Sequence, residues 1–184
     1  MIMTTSLLIL STFCALLLFF SLFPKDVSAF HDDIGNNISL GNYHLKHERY
    51  YEAIKYYTKV LRSDPNNFDS LAGKGYALVG LQKYAEAIPY LDKALKIYSN
   101  NVSALYHMGH AFVGLQKYEQ AMPYLDKALK IYPNNINVLY DKAVALEGLG
   151  KYHEAVFYYD KVLKIDQKFA LTTKDLQVIH TYSH

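Results

Sequence analysis

Gly80 to Asn101 reads GLQKYAEAIPYLDKALKIYSNN, and Gly114 to Asn135 reads GLQKYEQAMPYLDKALKIYPNN. The two stretches differ only at Ala85/Glu119, Glu86/Gln120, Ile88/Met122 and Ser99/Pro133, at an offset of 34 residues. Self-similarity at a fixed period of this size marks a stacked solenoid. The register extends in both directions: Ala53, Ala87, Ala121 and Ala155 keep it, as do Tyr50, Tyr84, Tyr118 and Tyr152. Four copies fit, over 34–67, 68–101, 102–135 and 136–169.

Apolar residues recur within each copy at helical spacing. In the second copy Leu71, Leu78 and Leu81 mark a first helix, and Ala87, Ile88, Leu91, Ala94, Leu95 and Tyr98 a second. Each copy is therefore expected to be a pair of antiparallel helices. Gly80, Gly114 and Gly148 mark the turn inside a copy, where a glycine can take positive φ at a helix end. The turns between copies, such as Ser99-Asn100-Asn101 and Pro133-Asn134-Asn135, offer Asn to cap the following helix. Gly41, Gly75, Gly109 and Ala143 sit where two helices must approach closely, facing the small Ala53, Ala87, Ala121 and Ala155. The Tyr50 series is expected to fill the gap at the hairpin end. Pro89 and Pro123 conflict with a helix interior, where proline costs about 3 kcal/mol. Because the apolar stripe continues past them, one unbroken helix is expected, with the prolines on its outer face about one turn from its start.

These residues resemble the tetratricopeptide repeat family. Leu40, Gly41, Tyr50, Ala53, Tyr57, Val60 and Pro65 fit its hallmark positions in the first copy, and Met108, Gly109, Tyr118, Ala121, Leu125, Ala128 and Pro133 in the third. The fourth copy has Ala143 for the glycine and Gln167 for the proline. The resemblance implies an all-α, right-handed superhelical solenoid of four helix hairpins, with the first helices lining a concave groove that binds a protein or peptide without catalysis or cofactor. Carried over position by position, the groove is implied to hold Asn42 and Lys46, then Asp69 and Tyr76, then Ser103, Tyr106, His107 and His110, then Asn137, Tyr140, Asp141 and Glu147. Residues 170–184 are expected to form a short capping helix and tail, since a terminal unit needs a polar outer face.

The chain has 184 residues, a formal net charge of +2, 18 Tyr and no Trp. That charge is too small to indicate a nucleic-acid partner. The lysine stripe Lys59, Lys93, Lys127, Lys161 is accompanied three residues on by Arg62, Lys96, Lys130, Lys164, and Asp92, Asp126 and Asp160 precede the last three of these by four, an order that favours helical ion pairs. His107 and His110 lie on one helix face and Asp141 is a candidate third ligand, so a metal- or small-ligand-binding solenoid is an alternative. A regulatory subunit of an enzyme or secretion assembly is another. No metal site is assigned, and no phosphate-cradling glycine loop or nucleophile motif occurs.

Leu7 to Phe23 is an apolar run, followed by Pro24-Lys25-Asp26 and by Val27-Ser28-Ala29, a small-residue pattern that fits a signal-peptidase site. Residues 1–29 are read as a signal peptide, with export, or alternatively as a membrane anchor through 7–23, and 30–33 as a linker. Cys14, the single cysteine, lies within this run, so no disulfide is available to the repeats. Asn37-Ile38-Ser39 and Asn101-Val102-Ser103 match the N-glycosylation pattern by chance composition.

Overall fold

The computed structural model describes residues 27–167, 169 and 173–182, and the expected signal peptide or anchor up to residue 26, with its apolar run 7–23, lies outside them. The chain divides into two compact units, Met1–Asn36 and Asn37–His184. Helix α1 spans Val27–Lys46, so residues 30–33 are helical and do not form a linker of irregular chain. The helices that follow are α2 (Tyr50–Ser63), α3 (Phe68–Gly80), α4 (Tyr84–Ile97), α5 (Val102–Gly114), α6 (Tyr118–Ile131), α7 (Ile136–Gly148), α8 (Tyr152–Ile165) and α9 (Thr173–Tyr182). The second unit is an all-α, right-handed solenoid, with no strand among the described residues.

The expected caps form. Asn67, Asn101 and Asn135 each accept a hydrogen bond from the backbone N–H three residues on, that of Ser70, Ala104 and Val138. This satisfies one donor that a helix start leaves unpaired. Pro89 and Pro123 lie inside unbroken helices and are exposed. Pro89 is the sixth residue of α4, past the four N–H groups that need no helical partner. Ala85, whose carbonyl it leaves free, is also exposed, so water can take that bond.

The turn inside each copy differs from expectation. Gly80, Gly114 and Gly148 end their helices without positive φ. The left-handed residue comes two positions later, at Glu48 (57°), Gln82 (58°), Gln116 (58°) and Gly150 (74°). Around it the backbone closes a Schellman motif: the Lys83 N–H donates to the Leu78 carbonyl at 2.9 Å and the Gln82 N–H to that of Val79 at 2.8 Å. The same two bonds recur at Arg49/Glu48, Lys117/Gln116 and Lys151/Gly150. The glycines serve packing instead. A Cβ on Gly80, Gly114 or Gly148 would overlap the ring of Tyr50, Tyr84 or Tyr118 from the preceding copy. At the Gly41 position the close neighbours are Tyr57, Leu91 and Leu125, one turn beyond the alanines; Tyr57 is wedged between Gly41 and Gly73. Ala53, Ala87, Ala121 and Ala155 are fully buried.

One core cluster runs from Leu78 through Leu91, Met108 and Leu125 to Ala145, so each hairpin is closed by the next. Helix α9 continues the register: Asp175 follows Asp141, and Tyr182 follows Gly148, by 34. Tyr182 stacks on Tyr152 at 4.6 Å and 8°, replacing the glycine contact with ring on ring.

A left-handed backbone costs an L-residue about 1–2 kcal/mol, less whatever glycine loses in chain entropy. Replacing both Gln82 and Gln116 by Gly should raise unfolding free energy by about 1 kcal/mol, read from urea denaturation.

Candidate functional site

The first helices α3, α5 and α7 bury their Leu71/Leu105/Leu139 face. Five of the expected groove residues, Lys46, Tyr76, Tyr106, His107 and His110, line one cavity of about 480 Å³. Seven more residues line it that the family resemblance does not assign to the groove, among them Leu45, Val79 and Gly80. Tyr50 and Tyr84, expected only to fill gaps, reach the cavity from the hairpin ends. Glu48 and Gln82 are the left-handed residues of the Schellman turns. Their 34-residue spacing, two residues before each Tyr, is the available signal, masked by the glycines that draw the turn two positions too early.

A second recess of about 230 Å³ is lined by Asn42, Asp69, Ser103 and again Tyr76. Tyr76 forms the wall between the two, its hydroxyl donating to Asn101 at 3.3 Å. Asn42 is already engaged, accepting from the buried Tyr57 hydroxyl at 2.7 Å.

The fourth-copy residues do not join these cavities. Asn137 is exposed and lines neither. Tyr140 donates to Asp175 of α9 at 3.0 Å. Glu147 is 6% exposed, and its carboxylate and that of Asp175 both lie 2.9 Å from the Tyr159 hydroxyl. Burial and these carboxylates push the Tyr140 and Tyr159 hydroxyls far up, so both stay neutral donors. The capping helix thus takes up the groove positions of the last hairpin.

Asp141 acts from behind. It is 3% exposed and lies 2.8 Å from Nδ1 of His110 in the previous copy. The hydrogen bond to Asp141 outweighs burial and raises the His110 imidazole; burial raises the Asp141 carboxyl, and His110 opposes that. The contact fixes the ring and leaves Nε2 as its free nitrogen. No Ser, Thr or Cys side chain lines this cavity.

His107 is different. It is stacked on Tyr76 at 4.2 Å and lies 4.9 Å from Tyr106. Its buried Nδ1 has no hydrogen-bond partner. Burial, with the neighbouring His110 adding to it, pushes its pKa down to about 3, so it is neutral. Burial also raises the Tyr76 and Tyr106 hydroxyls, which remain donors. The groove centre is thus a run of rings, Tyr76, His107, Tyr106, His110 and Tyr84, with His110 and Tyr84 5.9 Å apart. Among the described residues no group of three His, Cys, Asp or Glu side chains is placed to hold a metal. Asn37 is 5% exposed, and Asn101 caps α5.

Hairpins of constant length, stacked in one register with a polar, aromatic inner face, define the α-solenoid repeat proteins, a class of interaction scaffolds. The tetratricopeptide repeat profile matches residues 38–102. That of anaphase-promoting complex, cyclosome, subunit 3 matches residues 82–162. The chain belongs to the tetratricopeptide repeat family. Among solved structures it is similar to MamA AMB-1 (26% identity, 82% of this chain and 86% of that one, TM-score 0.71) and to MamA MSR-1 (26%, 80% and 81%, 0.67). MamA 41-end from Desulfovibrio magneticus RS-1 shares the fold at 22% identity, over 83% and 84%, with a TM-score of 0.71. No curated protein matches the chain.

The neutral His107 has a consequence for acid stability. Its imidazole takes a proton near pH 6.5 when unfolded but only near pH 3 when folded. The unfolded state therefore binds more protons throughout that window, and stability falls as pH drops through it. Replacing His107 by Phe, which keeps the stack, should remove on the order of 2 kcal/mol of the stability lost between pH 7 and pH 4.5, measured by urea titration at both pH values.

Proposed function

We propose that this chain is a non-enzymatic scaffold that holds an extended segment or helix of a protein partner in the cavity of Lys46, Tyr76, Tyr106, His107 and His110. The observation that carries the reading is the run of stacked rings around a buried, unpartnered imidazole nitrogen. Tyr supplies large contact area at low entropic cost, and such rings with scattered polar groups suit a peptide lying in a groove. Lys46 and Glu48 at the rim add both signs of charge, so the partner's flanks can be selected while the rings supply affinity. The fixed His110 offers one directional hydrogen bond to the bound backbone or side chain.

Peptides selected from a random library on the purified chain test this. Tyr106→Ala with His110→Ala should weaken their binding by about tenfold or more while leaving the circular dichroism unchanged. Unchanged affinity would place binding elsewhere.

The scaffold is exported through residues 1–29, or tethered by 7–23 if these are retained. Support comes from the uncharged apolar run and from Val27 and Ala29 at the third and first positions before the expected cut. A cut after Ala29 would remove only the first three residues of α1 and would leave the unit from Asn37 onward whole. The intact mass of the chain made in an exporting host should correspond to a start at Phe30. A full-length mass would select tethering.

A further inference from the structure

The packing that joins the hairpins leaves one edge of the solenoid uncovered. There the second helices end and the first helices begin. Ile97, Tyr98, Ile131, Tyr132 and Ile165 are exposed on it, at 40, 59, 44, 58 and 44%. They repeat at the 34-residue offset, so they form a row rather than a scatter. Single exposed apolar residues are ordinary; an aligned series is not. Tyr98 stands edge-on to Phe68 at 4.7 Å, which ties the row to the start of α3.

Lysines lead the charge beside the row, with Asp166, which follows Ile165, at its C-terminal end. A lysine precedes each isoleucine, at Lys96, Lys130 and Lys164, and all three are exposed. The turns Tyr98–Asn101 and Tyr132–Asn135 contain no carboxylate. Asp126, the expected helical partner of Lys130, is drawn away to Lys142 at 2.5 Å. Lys96 does meet Asp92, at 2.6 Å, but stays 73% exposed.

We propose that this edge rests on an anionic lipid surface, with the isoleucines and tyrosines entering the headgroup layer and the lysines meeting the lipid charges. Tyr suits that boundary because its ring is apolar and its tip polar. Lysine next to it gains from the surface potential while its stem lies along apolar neighbours. The shape favours lipid over protein. Fluid lipid can surround exposed side chains set out in a row, whereas a stable protein interface needs a continuous, matched patch. The proposal stands apart from the groove and from the fate of residues 1–29.

The test uses the absence of Trp from the chain. The full chain carrying Tyr132→Trp is mixed with phosphatidylcholine vesicles, with and without phosphatidylserine. Emission should shift to the blue and be quenched by brominated lipid when phosphatidylserine is present, and the effect should fade in high salt. Tyr51→Trp, at the opposite edge, should stay unquenched. Adding Ile97→Asn and Ile131→Asn should cut the quenching of the indole severalfold with helicity unchanged. Vesicle-bound Tyr132→Trp chain whose indole is unquenched, or equal quenching without phosphatidylserine, would overturn the proposal. A blue shift that grows with protein concentration in the absence of vesicles would overturn it too, by assigning the edge to a second copy.

Discussion

A tyrosine ring lying against bare backbone joins each hairpin to the next. Tyr50, Tyr84 and Tyr118 fill the space a side chain would need at Gly80, Gly114 and Gly148. None of these contacts lies within one copy, so a hairpin taken alone would leave the ring on one side and the glycine on the other unburied. Nearest-neighbour contacts of this kind make repeat stability a property of the stack. They also fix the angle between successive hairpins, because the ring thickness sets how closely the next helix can approach. The groove follows from that angle: the same Tyr50 and Tyr84 that hold the stack line the cavity with their outer edges.

Interactions within about one turn are legible in the sequence. The Asn caps, the buried alanines and the unbroken helices through Pro89 and Pro123 all rest on spacing and residue type. What escapes depends on which copy a side chain meets. The glycines suggest turn geometry because nothing in the chain announces a ring 30 residues away. The helical rule pairs Asp126 with Lys130, yet Asp126 meets Lys142 in the following copy, where Lys142 also lies over the Tyr158 ring at 4.4 Å. The groove is legible in its middle and not at its end. Lys46, Tyr76, Tyr106, His107 and His110 converge, whereas Tyr140 donates to Asp175 of the capping helix, which follows Asp141 by one repeat, and Glu147 accepts from Tyr159 of α8.

The two central copies show how the chain divides its surface. Their second helices and turns are nearly identical, but the first helices, Phe68–Val79 and Val102–Val113, agree only at Leu71/Leu105, Gly75/Gly109, Ala77/Ala111 and Val79/Val113. Leu, Gly and Ala at the first three of these pairs are buried against neighbouring helices. The differing pairs include Asp69/Ser103, Ala72/Tyr106, Gly73/His107 and Tyr76/His110, and every one of these residues except Ala72 and Gly73 is expected in the groove. At those two positions the third copy adds Tyr106 and His107 where the second keeps a small residue. Stacking explains why the two central copies share these positions, since each must fit both its own partner helix and the next copy's. It places no such demand on the inner face. Two copies alike in everything the stack constrains, and unlike along the groove, place two different surfaces side by side. That asymmetry suits the proposed site for one oriented peptide better than it suits a uniform spacer.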